Sequence, residues 1–184
     1  AILGGTGDIG EGLAVRFAAD TAHDITIGSR EASKAIDKTE EYERRLVDSG
    51  VDSDISGTDN ASATADADVV ILAIPPHHVG DTVAGLAEEG VLSDQLLISP
   101  AVGMRSDEDG LHYRPPNTGS VTELIADRAP VETPVAGAYH NLPAARLANL
   151  DAELDVDTLV VADNETVRTR VVEISNEING LRAI

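Results

Sequence analysis

The sequence predicts an α/β fold built on a doubly wound, mostly parallel sheet. Three observations carry that expectation. Short apolar runs alternate with helical patterns along most of the 184 residues, the order that builds strand–helix–strand units. The strongest run, Asp68-Val69-Val70-Ile71-Leu72-Ala73-Ile74, is apolar almost throughout, as suits a parallel strand covered on both faces. Ala1-Ile2-Leu3 leads into the glycine-rich stretch Gly5-Thr6-Gly7-Asp8-Ile9-Gly10 and then into a helical pattern, a strand–turn–helix opening.

Each element has a local reason. Ala1–Leu3 reads as a strand. Buried strands usually have about five or six residues, so its beginning reads as cut off. Asp8–Ala19 sets Ile9, Leu13, Phe17 and Ala18 on roughly one helical face. Asp24–Gly28 is a second strand, Glu31–Asp48 a charged, exposed helix and Val51–Ser56 a weak strand. The run from Asp68 to Ile74 is stopped by Pro75-Pro76. Then follow a helix at Val79–Glu89, a strand at Leu96–Ser99, a helix at Val121–Arg128 and a strand at Pro134–Ala138. Ala144–Asn149 is a helix entered through Pro143. Thr158–Val161 is a strand, and Asp163 or Asn164 caps a helix of about Glu165–Ile178. The end at Leu181-Arg182-Ala183-Ile184 reads as the start of another strand. Both ends suggest a fragment or a partly ordered product. Gly103–Ser120 is one long irregular stretch, either a functional lid or a solvated acidic insertion around Ser106-Asp107-Glu108-Asp109-Gly110.

Composition narrows the function classes. The chain carries 33 Asp and Glu against 13 Lys and Arg, a formal net charge of -20. Such a chain has no general attraction for nucleic acid or anionic lipid. With no Cys, disulfides, thiolate metal sites and thiol catalysis are excluded. No apolar run reaches the length of a membrane span and no signal-peptide pattern is visible, so a cytoplasmic location is expected. At 42% hydrophobic residues, the chain is expected to fold. The acid is spread along the sequence, Lys is confined to Lys34 and Lys38, and the aromatics are Phe17, Tyr42, Tyr113 and Tyr139. That pattern suits a salt-accumulating archaeon: at molar salt the Debye length falls to about 3 Å and dispersed carboxylates stop repelling one another.

The glycine stretch fits G-x-G-x-x-G in the context a dinucleotide turn requires. Gly5 is expected to permit the tight turn, Gly7 to let a pyrophosphate approach the backbone, and Gly10 to let helix and strand pack closely. The helix N-terminus would add free N–H groups and partial positive charge. This points to a Rossmann-type sheet. About twenty residues past the last glycine, an NAD enzyme usually shows an acid for the ribose hydroxyls. Here Gly28-Ser29-Arg30 stands there, with Lys34 beyond and Glu31 just after the tip. Arginine's forked donors match phosphate geometry. Thr6, Ser29, Arg30 and Lys34 could hold a 2′-phosphate, so NADP is favoured over NAD.

The stretch from Ile2 to Ala14, with Ile27-Gly28-Ser29-Arg30, resembles the NADPH-dependent reductases of the deazaflavin coenzyme F420, in a haloarchaeal form. So does Gly137-Ala138-Tyr139-His140-Asn141-Leu142-Pro143-Ala144-Ala145-Arg146-Leu147-Ala148-Asn149-Leu150. Leu96–Gly103, with Ser99-Pro100-Ala101-Val102, and Glu177-Ile178-Asn179-Gly180-Leu181-Arg182 extend the likeness over essentially the whole chain. The resemblance implies hydride transfer between NADP(H) and the deazaflavin, two small-molecule coenzymes. It implies that Thr6, Gly7, Asp8 and Ile9 contact the pyrophosphate and that Ser29, Arg30 and Lys34 contact the 2′-phosphate. It sets Ile74 near the nicotinamide, His78 at the rim, the Ala144 N–H on the carboxamide and His140 to Leu142 near the deazaflavin ring. His140 is the candidate for assisting a proton or orienting the ring; packing at the pocket edge is its more ordinary role. The pair His77-His78 suggests a metal only weakly, because adjacent helical side chains diverge, and no metal site is expected. Residues 1–150 are expected to form the NADP-binding region and 151–184 the start of a smaller C-terminal region, incomplete here. The family's further C-terminal segment, which completes the deazaflavin pocket and a homodimer, is absent. An NADP enzyme with a ferric or imine acceptor, or a non-catalytic NADP-sensing module, would use the same glycine turn and Ser29-Arg30.

Overall fold

A computed structural model describes residues 1–52 and 54–184. In chain order the elements are β1 (Ile2–Leu3), α1 (Asp8–Asp20), β2 (Ile25–Ser29), α2 (Ala32–Asp48), β3 (Ile55–Asp59), α3 (Asn60–Ala65), β4 (Val69–Leu72), α4 (Pro76–Glu88) and β5 (Leu96–Ser99). They continue with β6 (Met104–Asp107), β7 (Gly110–Tyr113), α5 (Val121–Arg128), β8 (Val135–Gly137), α6 (Ala144–Ala148), β9 (Val156–Thr158), α7 (Glu165–Ser175) and β10 (Leu181–Ala183). The central sheet has six strands in the order β3-β2-β1-β4-β5-β8, and all its neighbours are parallel. The chain leaves β1 toward β3, then returns past it to β4 and runs outward to β8. The order therefore reverses between β1 and β4, and the crevice at that switch is where such sheets bind ligands.

Strand alternation divides the core into two layers. Ile2, Ile27, Ile71 and Ile98 point to one face, with Leu13, Phe17, Tyr42 and Leu147. Leu3, Val70, Leu72 and Leu97 point to the other, with Val79, Val83 and Ile125. This two-sided burial is why the run through β4 is continuously apolar. Leu154, Val171, Ile178 and Leu181 join the first layer, so the chain past residue 150 shares the core of the chain before it. There β9 and β10 pair in parallel as a separate small sheet. Among the described residues no helix is long and apolar enough to cross a membrane.

The structure corrects several sequence expectations. The weak strand expected at Val51–Ser56 forms at Ile55–Asp59 instead, and Ser53 lies outside the described residues. Gly57 is the reason: a Cβ there would sit 2.6 Å from the Ala35 carbonyl carbon, so close approach of α2 replaces an apolar side chain. Helix α3 was not expected. The Asp59 side chain caps it, accepting from the Ser62 N–H at 3.0 Å. Helix α4 starts at Pro76 rather than Val79, which puts both His77 and His78 on its first turn. The expected strand at Thr158–Val161 is β9 ending at Thr158, and Val161 makes only an isolated antiparallel bridge to Gly137. Asn164, not Asp163, caps α7, accepting from Thr166 and Val167, and that helix ends at Ser175. The stretch Gly103–Ser120 is not irregular throughout, because β6 and β7 form an antiparallel hairpin. Gly110, at φ 118, lets the chain turn there.

Candidate functional site

The turn after β1 reverses at Gly4, where φ is 75. A Cβ at Gly4 would lie 2.4 Å from the Ala73 carbonyl oxygen. The tight-turn role expected of Gly5 therefore belongs to Gly4. Gly5 is needed for packing, since its Cβ would lie 2.7 Å from the Ile27 Cβ. Gly10 lets α1 cross the turn as expected, its Cβ falling 2.3 Å from the Gly4 oxygen. Gly7 differs from all three: a Cβ there would meet nothing closer than the Gly4 oxygen at 3.5 Å, an ordinary contact. The fold does not require a glycine at that position, and open space lies in front of it. Gly7 is also the N-cap of α1 and has no side chain to cap with. The first-turn N–H groups and the positive end of the helix dipole thus face that space.

Two acids lie in this first turn, Asp8 and Glu11. Glu11 is neutralised from α2: Arg45 Nη1 reaches its Oε1 at 2.5 Å and Lys38 Nζ its Oε2 at 3.9 Å. Beside them the buried Tyr42 hydroxyl donates to the Gly5 carbonyl at 2.8 Å. Burial first, and Glu11 second, push that phenol well above its ordinary pKa, so it stays a proton donor.

Thr6, Gly7, Ser29, Arg30, Lys34, Ile74 and His78 all line one cleft of about 690 Å³. It lies at the carboxyl ends of β1, β2 and β4, over the switch in strand order. Ser29 is buried at the tip of β2, its Oγ accepting from the Glu31 N–H at 3.4 Å. Arg30 is exposed and makes no ion pair among the described residues. Lys34 Nζ is 2.7 Å from Glu31 Oε1, and that hydrogen bond and charge hold the Glu31 carboxyl below its usual pKa. Asn60, which sequence reasoning passed over, also lines the cleft. Its Oδ1 is buried without a hydrogen-bond partner among the described residues. The rings of His77 and His78 lie 4.0 Å apart, tilted at 47°; they do not diverge as expected. Both sit on the first turn of α4 and line the cleft. Among the described residues no set of three or more His, Cys, Asp and Glu side chains gathers as a metal site would need.

The remaining expected residues lie around this cleft or away from it. Asp8 is exposed at the start of α1, and Ile9 packs against the first core layer. Ala144 begins α6, which lies on α1 at Gly12: a Cβ there would stand 2.5 Å from the Leu147 Cβ and 3.3 Å from the Ala144 oxygen. His140 faces a different cavity of about 350 Å³, together with Tyr113, Glu123 and Val161. Burial lowers its imidazole pKa, which favours the neutral ring. Its direction is set by Tyr139, a non-glycine residue at φ 66 that is held in place. The Tyr139 N–H donates to Thr158 Oγ1 at 3.0 Å, and its hydroxyl lies 2.7 Å from Ser175 Oγ. Burial pushes that phenol up to about 12. Arg16, also unforeseen, is buried and donates to the carbonyls of Leu147, Arg146, Asn149 and Ala152. No sequence signal short of the fold itself marks Arg16 among the other arginines.

Comparison with known proteins agrees with this geometry. Residues 1–103 match the family described as NADP oxidoreductase, coenzyme F420-dependent. The F420-dependent NADP reductase of Methanocaldococcus jannaschii is 36% identical over 187 residues, which span 100% of this chain and 81% of that protein. The enzyme of the same name from Methanothermobacter thermautotrophicus is 35% identical over 190 residues, spanning 100% and 78%. A candidate F420-dependent NADP reductase from Arthrobacter sp. FB24 superposes with a TM-score of 0.74 at 21% identity, covering 100% of this chain and 82% of that one. A pyrroline-5-carboxylate reductase from Coxiella burnetii shares the fold with a TM-score of 0.64 at 18% identity, covering 100% and 57%. The chain belongs to the family of coenzyme F420-dependent NADP oxidoreductases.

Proposed function

We propose that this protein transfers a hydride between NADP(H) and the deazaflavin coenzyme F420, the activity its curated relatives are named for. The observation that carries the reading is the cleft in front of α1. Its wall offers a glycine that the fold does not need and the uncapped N–H groups of a helix, together with Ser29, Arg30 and Lys34. These are the two anion-binding devices that a pyrophosphate and a 2′-phosphate require, set in one crevice.

In this reading Gly5 and Gly10 shape the turn, and Thr6, Gly7, Asp8 and Ile9 receive the pyrophosphate. Ser29, Arg30 and Lys34 receive the 2′-phosphate, with Lys34 exchanging Glu31 for the ligand. Asn60, with its unpaired amide oxygen in the cleft wall, is free to turn toward the nucleotide. Ile74 and His78 border the nicotinamide end, and the Ala144 N–H holds the carboxamide. His140 orients the second ring from its own cavity. When bound, the two coenzymes supply the hydride chemistry themselves, and the protein supplies distance, face and dryness. Residues 1–150 form the NADP-binding region and 151–184 a smaller one that packs on it. The working protein is a cytoplasmic homodimer.

The test is to mix the protein with NADPH and oxidised coenzyme F420 and follow the visible deazaflavin band. Bleaching that depends on both protein and NADPH is expected. Tight NADPH binding with no bleaching would sink the reductase reading.

A further inference from the structure

Three of the chain's arginines, Arg105, Arg114 and Arg128, line one groove of about 500 Å³. They come from three places in the sequence: Arg105 from β6, Arg114 from the residue after β7, and Arg128 from the end of α5. The hairpin register pairs Arg105 with His112, and the Arg114 N–H donates to the Gly103 carbonyl at 2.6 Å. Strand pairing thus brings the first two arginines to one side of the groove. A Cβ at Gly103 would lie 2.6 Å from the Arg114 oxygen, so that join tolerates no side chain. The floor is apolar, where Gly80 meets Leu124.

Among the described residues, arginine ion pairs are made by Arg45, Arg168 and Arg182, and by none of these three. With 33 Asp and Glu against 13 Lys and Arg, three arginines on one groove whose lining holds a single carboxylate, Asp81, reverse the chain's overall balance of charge. Like charges around a shared groove repel one another unless an anion comes between them. Arginine's fork is the geometry for phosphate or carboxylate oxygens. The groove also adjoins the nucleotide cleft, because His77 and Asp81 on α4 line both.

We infer that this groove is a second anion site, which takes a phosphate group or clustered carboxylates on a molecule lying beside the nucleotide. The site stands on the groove alone. Only its assignment to the deazaflavin co-substrate rests on the reductase reading.

The direct test is calorimetric titration of inorganic pyrophosphate into protein already saturated with NADP+, so that the cleft phosphates are occupied. Saturable binding is expected, weakened about tenfold or more in the Arg114→Gln, Arg128→Gln double variant and unchanged in Arg168→Gln. Circular dichroism checks that each variant is folded. No pyrophosphate binding, or equal binding by the double variant, overturns the site. A second measurement identifies the source of the anion. A KM for coenzyme F420 that rises in the double variant, with the KM for NADPH unchanged, assigns the site to the co-substrate; unchanged values of both assign it to a free phosphate. Pyrophosphate binding in a protein without reductase activity would refute the proposed reaction and leave the anion site standing.

Discussion

Gly7 and Gly10 stand three positions apart in one turn, yet the structure gives them opposite duties. A methyl group at Gly10 would meet the Gly4 oxygen at 2.3 Å and the Gly5 Cα at 2.7 Å, both backbone atoms with nowhere to go. Gly10→Ala should cost about 2 kcal/mol or more of stability, read as a lowered urea midpoint. Gly7 has φ -99 and ψ 167, which any residue adopts, and open space before it. Gly7→Ala should leave the midpoint nearly where it was while weakening NADPH by about tenfold or more, because the methyl group would stand where phosphate approaches. A variant that unfolds at Gly7, or binds NADPH normally, would remove that residue from the phosphate site. Arg30 allows a sharper experiment, since it is exposed and without an ion pair among the described residues. Arg30→Glu removes a phosphate donor and adds repulsion, so the KM for NADPH should rise about a hundredfold while that for NADH moves little. An equal rise for both would show that Arg30 does not read the 2′-phosphate. The glycine pattern was legible in the sequence, but the division of labour was not. That Gly4 carries the positive φ depends on Ala73, 69 positions away in the chain, which no local spacing reveals.

Helix α6 has five residues, too few to hold itself together in water. Arg16 supplies the missing support, donating to four carbonyls between Arg146 and Ala152 from within α1. Burial lowers its guanidinium pKa, yet the carbonyl dipoles at the end of α6 keep the charge there favourable. Arg16→Met keeps most of the aliphatic stem and leaves those carbonyls unpaired. It should destabilise the fold by about 3 kcal/mol, seen in urea unfolding, while the folded fraction still binds NADPH. Elements with a buried face, such as α1, β5 and α5, follow their hydrophobic pattern closely. The hairpin of β6 and β7 does not, because every one of its residues is exposed and no apolar alternation marks it. Its loop residues are Glu108 and Asp109, between the paired Asp107 and Gly110, and in the sequence they read only as part of an acidic insertion. Helix α3 was hidden for a related reason: its run of Ala, Ser and Thr buries only Ala63 and Thr64.

At the scale of the molecule, the net charge of -20 acts on stability and on ligand approach together. Dispersed carboxylates repel one another at low salt and less so as the Debye length shrinks. The thermal midpoint should therefore rise as KCl is raised from about 0.1 M to about 2 M, and a flat or falling midpoint would refute adaptation to salt. The alternation of strands and helices was readable from the chain, and with it the class of sheet. The order β3-β2-β1-β4-β5-β8 was not, since it follows from the handedness of crossovers rather than from any local run. That order is what brings Thr6, Ser29 and Ile74, from three separate strand ends, to one crevice.

The junction of β2 and α2 has one more consequence. Arg30, Glu31 and Lys34 are all exposed, and the ion pair there joins two of them to each other, not to the core. In the proposed reading, coenzyme preference is thus written in a patch that the rest of the protein does not lean on. A lineage could drift from NADP to NAD by a few substitutions there without passing through an unfolded intermediate, and an engineer could take the same route.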